Sequence, residues 1–146
     1  MICSKVLVPS GVLGLGFDIE ALKNGLNRKP DIISIDGGST DSGPYSLGSG
    51  TSKYSRSAIK SEWKILMKAR EEAKIPLLIG SSGTCGTDEM VDWMEDITIE
   101  LAEEMGQSIK ITKLYCEQDK EFIKTSFKKQ KISSLDPSPK IDTDII

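Results

Sequence analysis

The chain has 146 residues, 38% of them hydrophobic and 28% charged, with a formal net charge of -3. That length suits one ordinary domain, and its interspersed acids and bases give no electrostatic drive toward nucleic acid or an anionic membrane. Histidine is absent, which removes Ser-His-Asp and Cys-His nucleophile systems and the commonest metal ligand.

Any acid/base chemistry within the chain therefore rests on Asp, Glu, Lys, Tyr or Cys. The three cysteines, Cys3, Cys85 and Cys116, are odd in number and match no zinc spacing, which points to reduced thiols and a cytoplasmic setting. Residues 6–17 are apolar enough to suggest a signal-peptide core. Pro9-Ser-Gly11 interrupts them, however, only Lys5 precedes them, and no small-residue cleavage site follows. No apolar run approaches the length of a membrane span.

Lys5-Val-Leu-Val8 reads as a first strand, running into the glycine-rich turn Pro9-Ser-Gly-Val-Leu-Gly-Leu-Gly16. The glycine spacing there is GxxGxG rather than the dinucleotide fingerprint GxGxxG, so the turn reads either as tight-turn geometry or as a phosphate-binding turn. Phe17, Ala21, Leu22 and Leu26 then recur at helical spacing, with Asp18 and Glu20 suited to the positive end of the helix dipole. Lys29-Pro-Asp31 makes a turn before a second strand, Ile32-Ile-Ser-Ile35. That strand breaks abruptly into Asp36-Gly-Gly-Ser-Thr-Asp-Ser-Gly-Pro-Tyr45. Residues 55–74 form a long amphipathic helix whose inward face is Ile59, Trp63, Leu66, Met67, Ala69 and Ala73.

Ile75-Pro-Leu-Leu-Ile79 is the third strand, with Pro76 at its start, where proline is tolerated. It breaks into Gly80-Ser-Ser-Gly-Thr-Cys-Gly86, and Thr87 is placed to cap the next helix. Met90, Trp93, Met94, Ile97, Leu101 and Met105 form that helix's stripe, and Gly106 ends it. Residues 109–115 alternate in part and are expected as a fourth strand, followed by Glu117, Asp119 and a short helix over 120–129. The order βαβαβαβα predicts a three-layer, mainly parallel sheet of at least four strands with helices on both faces, a Rossmann-like α/β fold. Residues 1–134 are read as the α/β domain, and residues 135–146, with Asp136-Pro-Ser-Pro139, as a linker or the start of a further region.

In such a sheet, ligands bind beyond the carboxyl ends of the strands. Four polar clusters are expected there: Ser10 and Gly11, residues 36–45, Ser81 to Thr84, and Glu117 with Asp119. Asp36, directly at a strand end, is the first candidate acid/base. Its alternative role is to accept hydrogen bonds from the backbone of its own turn. Asp41 is a loop residue unless it joins Asp36 around a divalent cation, and no EF-hand spacing accompanies them, so no metal site is expected. Lys53, Arg56 and Lys60 stand at the start of the long helix, where basic residues add to the helix dipole. Either an anionic ligand offsets them or they point into solvent. Ser81 and Ser82 are candidate donors to a substrate, with Asp88 and Glu89 as dipole partners of the helix that follows. Cys85 and Cys116 have no evident base.

The segments Val8-Pro-Ser-Gly-Val-Leu-Gly-Leu-Gly-Phe17, Lys29-Pro-Asp-Ile-Ile-Ser-Ile-Asp-Gly-Gly-Ser-Thr-Asp-Ser-Gly-Pro-Tyr45, Ile75-Pro-Leu-Leu-Ile-Gly-Ser-Ser-Gly83 and Glu117-Gln-Asp-Lys-Glu121 resemble the amino-terminal part of the acyclic terpene utilisation (AtuA-like) family. The Asp-Gly-Gly-Ser-Thr-Asp-x-Gly-Pro-Tyr string carries the resemblance most specifically. Family members are several times longer, so the resemblance implies the first portion of such a protein. It further implies a bacterial, cytoplasmic protein of branched acyclic terpenoid breakdown, a route that works on acyl-CoA thioesters.

The positions that match are Gly11, Asp36, Gly37, Ser39, Thr40, Asp41, Tyr45, Ser81 and Glu117. The expectation is a catabolic enzyme's amino-terminal domain with Asp36 and Glu117 as candidate catalytic residues. A carboxylate or acyl-CoA would be held by Ser10, Gly11, Gly37, Gly38, Ser39, Thr40, Asp41, Tyr45, Arg56, Ser81 and Ser82. The alternative is a non-catalytic ligand-binding or assembly domain. No particular cofactor is indicated, no nucleic acid or membrane partner is expected, and self-association or docking to a further domain is expected to cover the open sheet edges.

Overall fold

Short runs rich in β-branched and leucine residues, closed by Asp36 in the second and Gly80 in the third, become three parallel strands in the computed structural model, which describes residues 3–38 and 43–134. In chain order the elements are β1 (Val6–Leu7), α1 (Ile19–Leu26), β2 (Ile32–Asp36), α2 (Tyr45–Ser49), α3 (Arg56–Ala73), β3 (Leu77–Gly80), α4 (Asp88–Met105) and α5 (Lys120–Lys128). The sheet order is β1-β2-β3 and both pairings are parallel. The chain divides into two units, Met1–Tyr115 and Cys116–Ile146, where the sequence reading placed a single α/β domain to residue 134. Residues 135–146 lie outside the described residues.

The helices begin and end where their caps dictate. Asp18, Ser55, Thr87 and Asp119 each accept a backbone N–H from the first turn of α1, α3, α4 and α5, satisfying one of the orphan donors there. Lys74 and Gly106 close α3 and α4 in the left-handed conformation. The one-turn helix α2 is additional to the sequence reading, which treated residues 43–54 as loop.

The register places Leu7, Ile33 and Leu77 side by side, and Ile35 beside Ile79. This row is the buried face. Ile33 and Ile35 are enclosed, and they pack with Leu22 of α1, Ile59, Trp63 and Leu66 of α3, and Ile97 and Leu101 of α4. Gly25 of α1 lies directly on Leu7. Alternate residues point the other way: Val6 and Leu78 are 56% and 55% exposed, and Val8 beyond β1 is 59% exposed. A sheet whose strands follow one another in order, with right-handed crossovers, carries its helices on the same side. Among the described residues of the first unit the helices therefore cover one face of the sheet, not both as expected.

The expected fourth strand is a correction. Residues 109–115 join no strand, and among the described residues the sheet has three. The segment is tied instead to α4. Lys113 Nζ pairs with Glu95 at 2.6 Å and Asp92 at 2.9 Å, and the Tyr115 hydroxyl donates to Asp92 at 2.5 Å. Leu114, the residue between them, is 78% exposed. Partial alternation gave the segment a strand's pattern, but its charged and phenolic side chains are partnered on the helix.

α3 and α4 are joined by a ladder of alternating charges. Arg56 pairs with Glu100, Lys60 with both Glu100 and Glu104, and Lys64 with Glu104, at 2.5–2.8 Å. Beneath it Trp63 Nε1 donates to Thr98 Oγ1 at 2.9 Å, and Thr98 donates in turn to the Met94 carbonyl. Hydrogen bonds from Lys60 and then Lys64 hold the Glu104 carboxyl down at about 2, from an ordinary value of 4.5. Glu100 is lowered in the same sense by Lys60 and Arg56.

A depressed carboxyl adds stability above its unfolded value and loses it as pH falls through the folded value. The melting-temperature difference between the wild type and Glu104→Gln should therefore be full above pH 4.5 and close as pH falls toward about 2. Thermal unfolding followed by circular dichroism across that range checks this. Because the ladder is partly exposed, added salt should narrow the same difference.

Candidate functional site

β2 ends at Asp36, and three loops meet there. The Asp36 carbonyl accepts from Leu13 N at 2.8 Å, which ties the glycine-rich turn after β1 to the end of β2. Gly37 N donates to the Gly80 carbonyl at 2.6 Å, and the Gly37 carbonyl accepts from Thr84 N at 3.2 Å. Thr84 Oγ1 accepts from Lys53 N at 3.1 Å, bringing in the segment that leads to α3. The carboxyl ends of the three strands thus share one network of backbone hydrogen bonds.

Close approach explains the glycines. A Cβ on Gly38 would sit 2.1 Å from Thr84 Cα, and one on Gly37 would sit 2.7 Å from the Gly80 carbonyl oxygen. Thr84 is 1% exposed and has φ +76°. That region is costly for a β-branched residue, of order 1–3 kcal/mol, and such strain persists only where the surroundings hold it in place. Ser81 is also left-handed, at φ +47°. Residues 80–86 therefore form a wound loop, with Gly86 N donating to the Ser82 carbonyl and Thr84 N also reaching the Ser81 carbonyl.

Of the expected site residues, this edge gathers Ser10, Gly11, Asp36, Gly37, Gly38, Ser81 and Ser82. Asp36 is exposed, and its carboxylate accepts from Gly38 N at 3.0 Å. This is the turn-forming role. Ser10 folds back onto the Val12 backbone, whereas nothing lies within 4 Å of a Cβ placed on Gly11. Ser82 is 7% exposed and Ser81 is exposed. Ser39, Thr40 and Asp41 lie outside the described residues.

Two expected members of the first unit stand elsewhere. Tyr45 opens α2 with 77% of its surface exposed. Arg56 is ion-paired to Glu100 in the helix ladder, so the anion offsetting the basic start of α3 is a carboxylate of α4. Glu117 belongs to the second unit and is exposed; beside it, Asp119 caps α5.

Thr84 was expected at this edge as the end of the Ser81 to Thr84 cluster, but nothing local indicates its buried hydroxyl or its conformation. One participant was not foreseen. Glu62 sits on α3 and accepts from both Gly14 N and Gly16 N at 2.7 Å. It is 48 and 46 residues from its partners, so no sequence window contains the pair.

The edge is built from internally hydrogen-bonded backbone and from serine and threonine side chains rather than from a cluster of titratable groups. The carboxylates with displaced pKa values, Glu71, Asp92, Glu100 and Glu104, stand on α3 and α4 and are all lowered by lysine, arginine or tyrosine partners. Among the described residues no group of three or more Cys, Asp or Glu side chains is placed to hold a metal ion. An open groove of about 580 Å³ lies instead along the carboxyl-terminal halves of α3 and α4, lined by Lys64, Lys68, Glu104 and Gln107.

Fold and site together define an α/β protein whose strand-end loops are tied to one another by hydrogen bonds. Compared with known protein families, curated proteins and solved structures, the chain matches none. No helix among the described residues is long and apolar enough to cross a membrane.

The contacts at Gly38 and Gly11 predict opposite sensitivities. Gly38→Ala must displace Thr84 and should cost about 1–3 kcal/mol by overpacking. Gly11→Ala meets open space and should change stability by less than about 0.5 kcal/mol. Urea unfolding of the two variants measures the contrast.

Proposed function

We propose that this chain is the amino-terminal, ligand-holding domain of a catabolic enzyme of acyclic terpene or branched-chain acid utilisation, as the AtuA-like resemblance implies. It holds a carboxylate or acyl-CoA ligand at the carboxyl ends of β1, β2 and β3. The observation that carries this reading is the hydrogen-bonded junction of loops 10–16, 36–38 and 80–86, with Thr84 strained and buried at its centre. An anionic head group at the strand ends would be met by the exposed Ser81 and by loop amides that exchange an internal acceptor for the ligand. Asp36 and Glu117 are the acid/base candidates within this reading, and the setting is cytoplasmic. The whole protein completes a three-layer, Rossmann-like sheet of at least four strands, the additional strand and the layer over the open face coming from outside the three described strands.

Titration of the isotopically labelled chain with coenzyme A and with a branched carboxylate such as isovalerate is the direct experiment. Amide resonances of Gly37, Gly38 and residues 81–84 should move together and saturate. Saturable binding that moves only resonances elsewhere, or no binding of either ligand, would remove the reading.

A second reading, an assembly domain without catalysis, is favoured by the apolar open face. Val6, Val8 and Leu78 are each more than half exposed, and parallel sheets are ordinarily covered on both sides. In this reading the face is covered by self-association or by a further domain. The sedimentation coefficient should rise with protein concentration, and Leu78→Lys should suppress the rise. A wild-type monomer at high micromolar concentration would reject self-association.

A further inference from the structure

The glycine-rich turn between β1 and α1 already holds an oxyanion, supplied by the protein itself. Glu62, in the amino-terminal half of α3, lays its carboxylate across the turn. Oε2 accepts from Gly14 N and Oε1 from Gly16 N, both at 2.7 Å. Bonds of this length from N–H to a carboxylate are charge-assisted and stronger than neutral ones. Both glycines have positive φ, +105° and +85°, a backbone course that aims nearby amides at one point and forms an anion-binding concavity.

Gly14 is further restricted because a Cβ there would lie 2.7 Å from the Tyr54 ring, whereas around Gly16 and Gly11 such an atom would meet nothing within 4 Å. The turn is thus backed by Tyr54 and open on its outer side. Leu13 N, bonded to the Asp36 carbonyl at 2.8 Å, connects it to the junction of loops. A second oxyanion cannot use the same two N–H groups while Glu62 does.

We propose that the Gly14–Gly16 turn is the seat for the ligand's oxyanion, a carboxylate or phosphate group, and that Glu62 is an internal competitor which leaves when the ligand arrives. The inference rests on the reading of the strand-end edge as a ligand-holding site and specifies which donors take the charged group. Its consequence is selectivity. A small free anion gains little by replacing one carboxylate with another. A ligand that also touches residues 36–38 and 80–86 gains those contacts in addition and displaces Glu62.

The test follows the Gly14 and Gly16 amide resonances of the full chain during titration with sodium acetate and, separately, inorganic phosphate. It uses the wild type, Glu62→Ala and Glu62→Gln. Removing the competitor should lower the half-saturating concentration by about tenfold in Glu62→Ala, the scale of one lost charge-assisted interaction. Glu62→Gln, which keeps one acceptor oxygen for the turn and so guards against loss of folding, should fall between. The anion with the larger gain identifies the head group as carboxylate or phosphate.

Equal half-saturation in all three proteins, or no response of these two amides in any of them, overturns the inference. If coenzyme A or isovalerate moves the Gly38 and Ser82 amides while Gly14 and Gly16 stay fixed in every form, the inference fails and the strand-end reading stands. If no loop amide responds to any ligand, both fail.

Discussion

Backbone groups that leave the end of a buried strand must still find hydrogen-bond partners, and in this protein that requirement organises the carboxyl edge of the sheet. Where β2 stops, the Gly37 amide takes the Gly80 carbonyl and the Gly37 carbonyl takes the Thr84 amide. The exchange demands that two loops approach so closely that residues 37 and 38 have no room for a side chain. Thr84 is driven into a left-handed conformation to complete it, and its hydroxyl satisfies the Lys53 amide on the way into α3. The junction is therefore fixed by backbone geometry, and the side chains around it inherit their positions.

Charge is placed with the same economy. The basic residues at the start of α3 conflict with the helix dipole when α3 is considered by itself. The conflict disappears once α4 lies alongside, because Glu100 and Glu104 alternate with Arg56, Lys60 and Lys64 across the interface. Lys113 and Tyr115 use Asp92 and Glu95 on another part of α4 to hold the chain after that helix. The acidic residues of α4 thus act mainly as structural partners, and the strand-end loops are left with amides and hydroxyls as their chemistry. The function proposed for the edge rests on that composition.

The open face of the sheet follows from topology. Strands added in sequential order with one crossover hand place α1 and α3 over Leu7, Ile33 and Leu77 and leave Val6 and Leu78 behind. A doubly wound sheet reverses its direction of growth and so gains helices on both faces. The three described strands make no such reversal.

Much of the local structure was legible from residue order. The apolar runs of β1, β2 and β3, the stripe of α3 from Ile59 to Met67, the Thr87 cap and the Gly106 stop are all local patterns, and a strand or helix responds to spacing within its own few turns. The gathering of Ser10, Gly11, Asp36, Gly37, Gly38, Ser81 and Ser82 on one edge also followed, because parallel strands separated by helices must end on the same side. What the sequence could not determine depends on which remote residues meet. The pattern at 109–115 fitted a strand, but the segment joins no strand and its side chains meet partners on α4. Arg56 was consistent with a ligand contact until Glu100 arrived from a helix further along the chain. The bond from Glu62 to Gly14 and Gly16, and the direction in which the sheet grows, exist only once the crossovers have brought distant segments together, since each arises from packing in three dimensions and neither leaves a periodic trace along the chain.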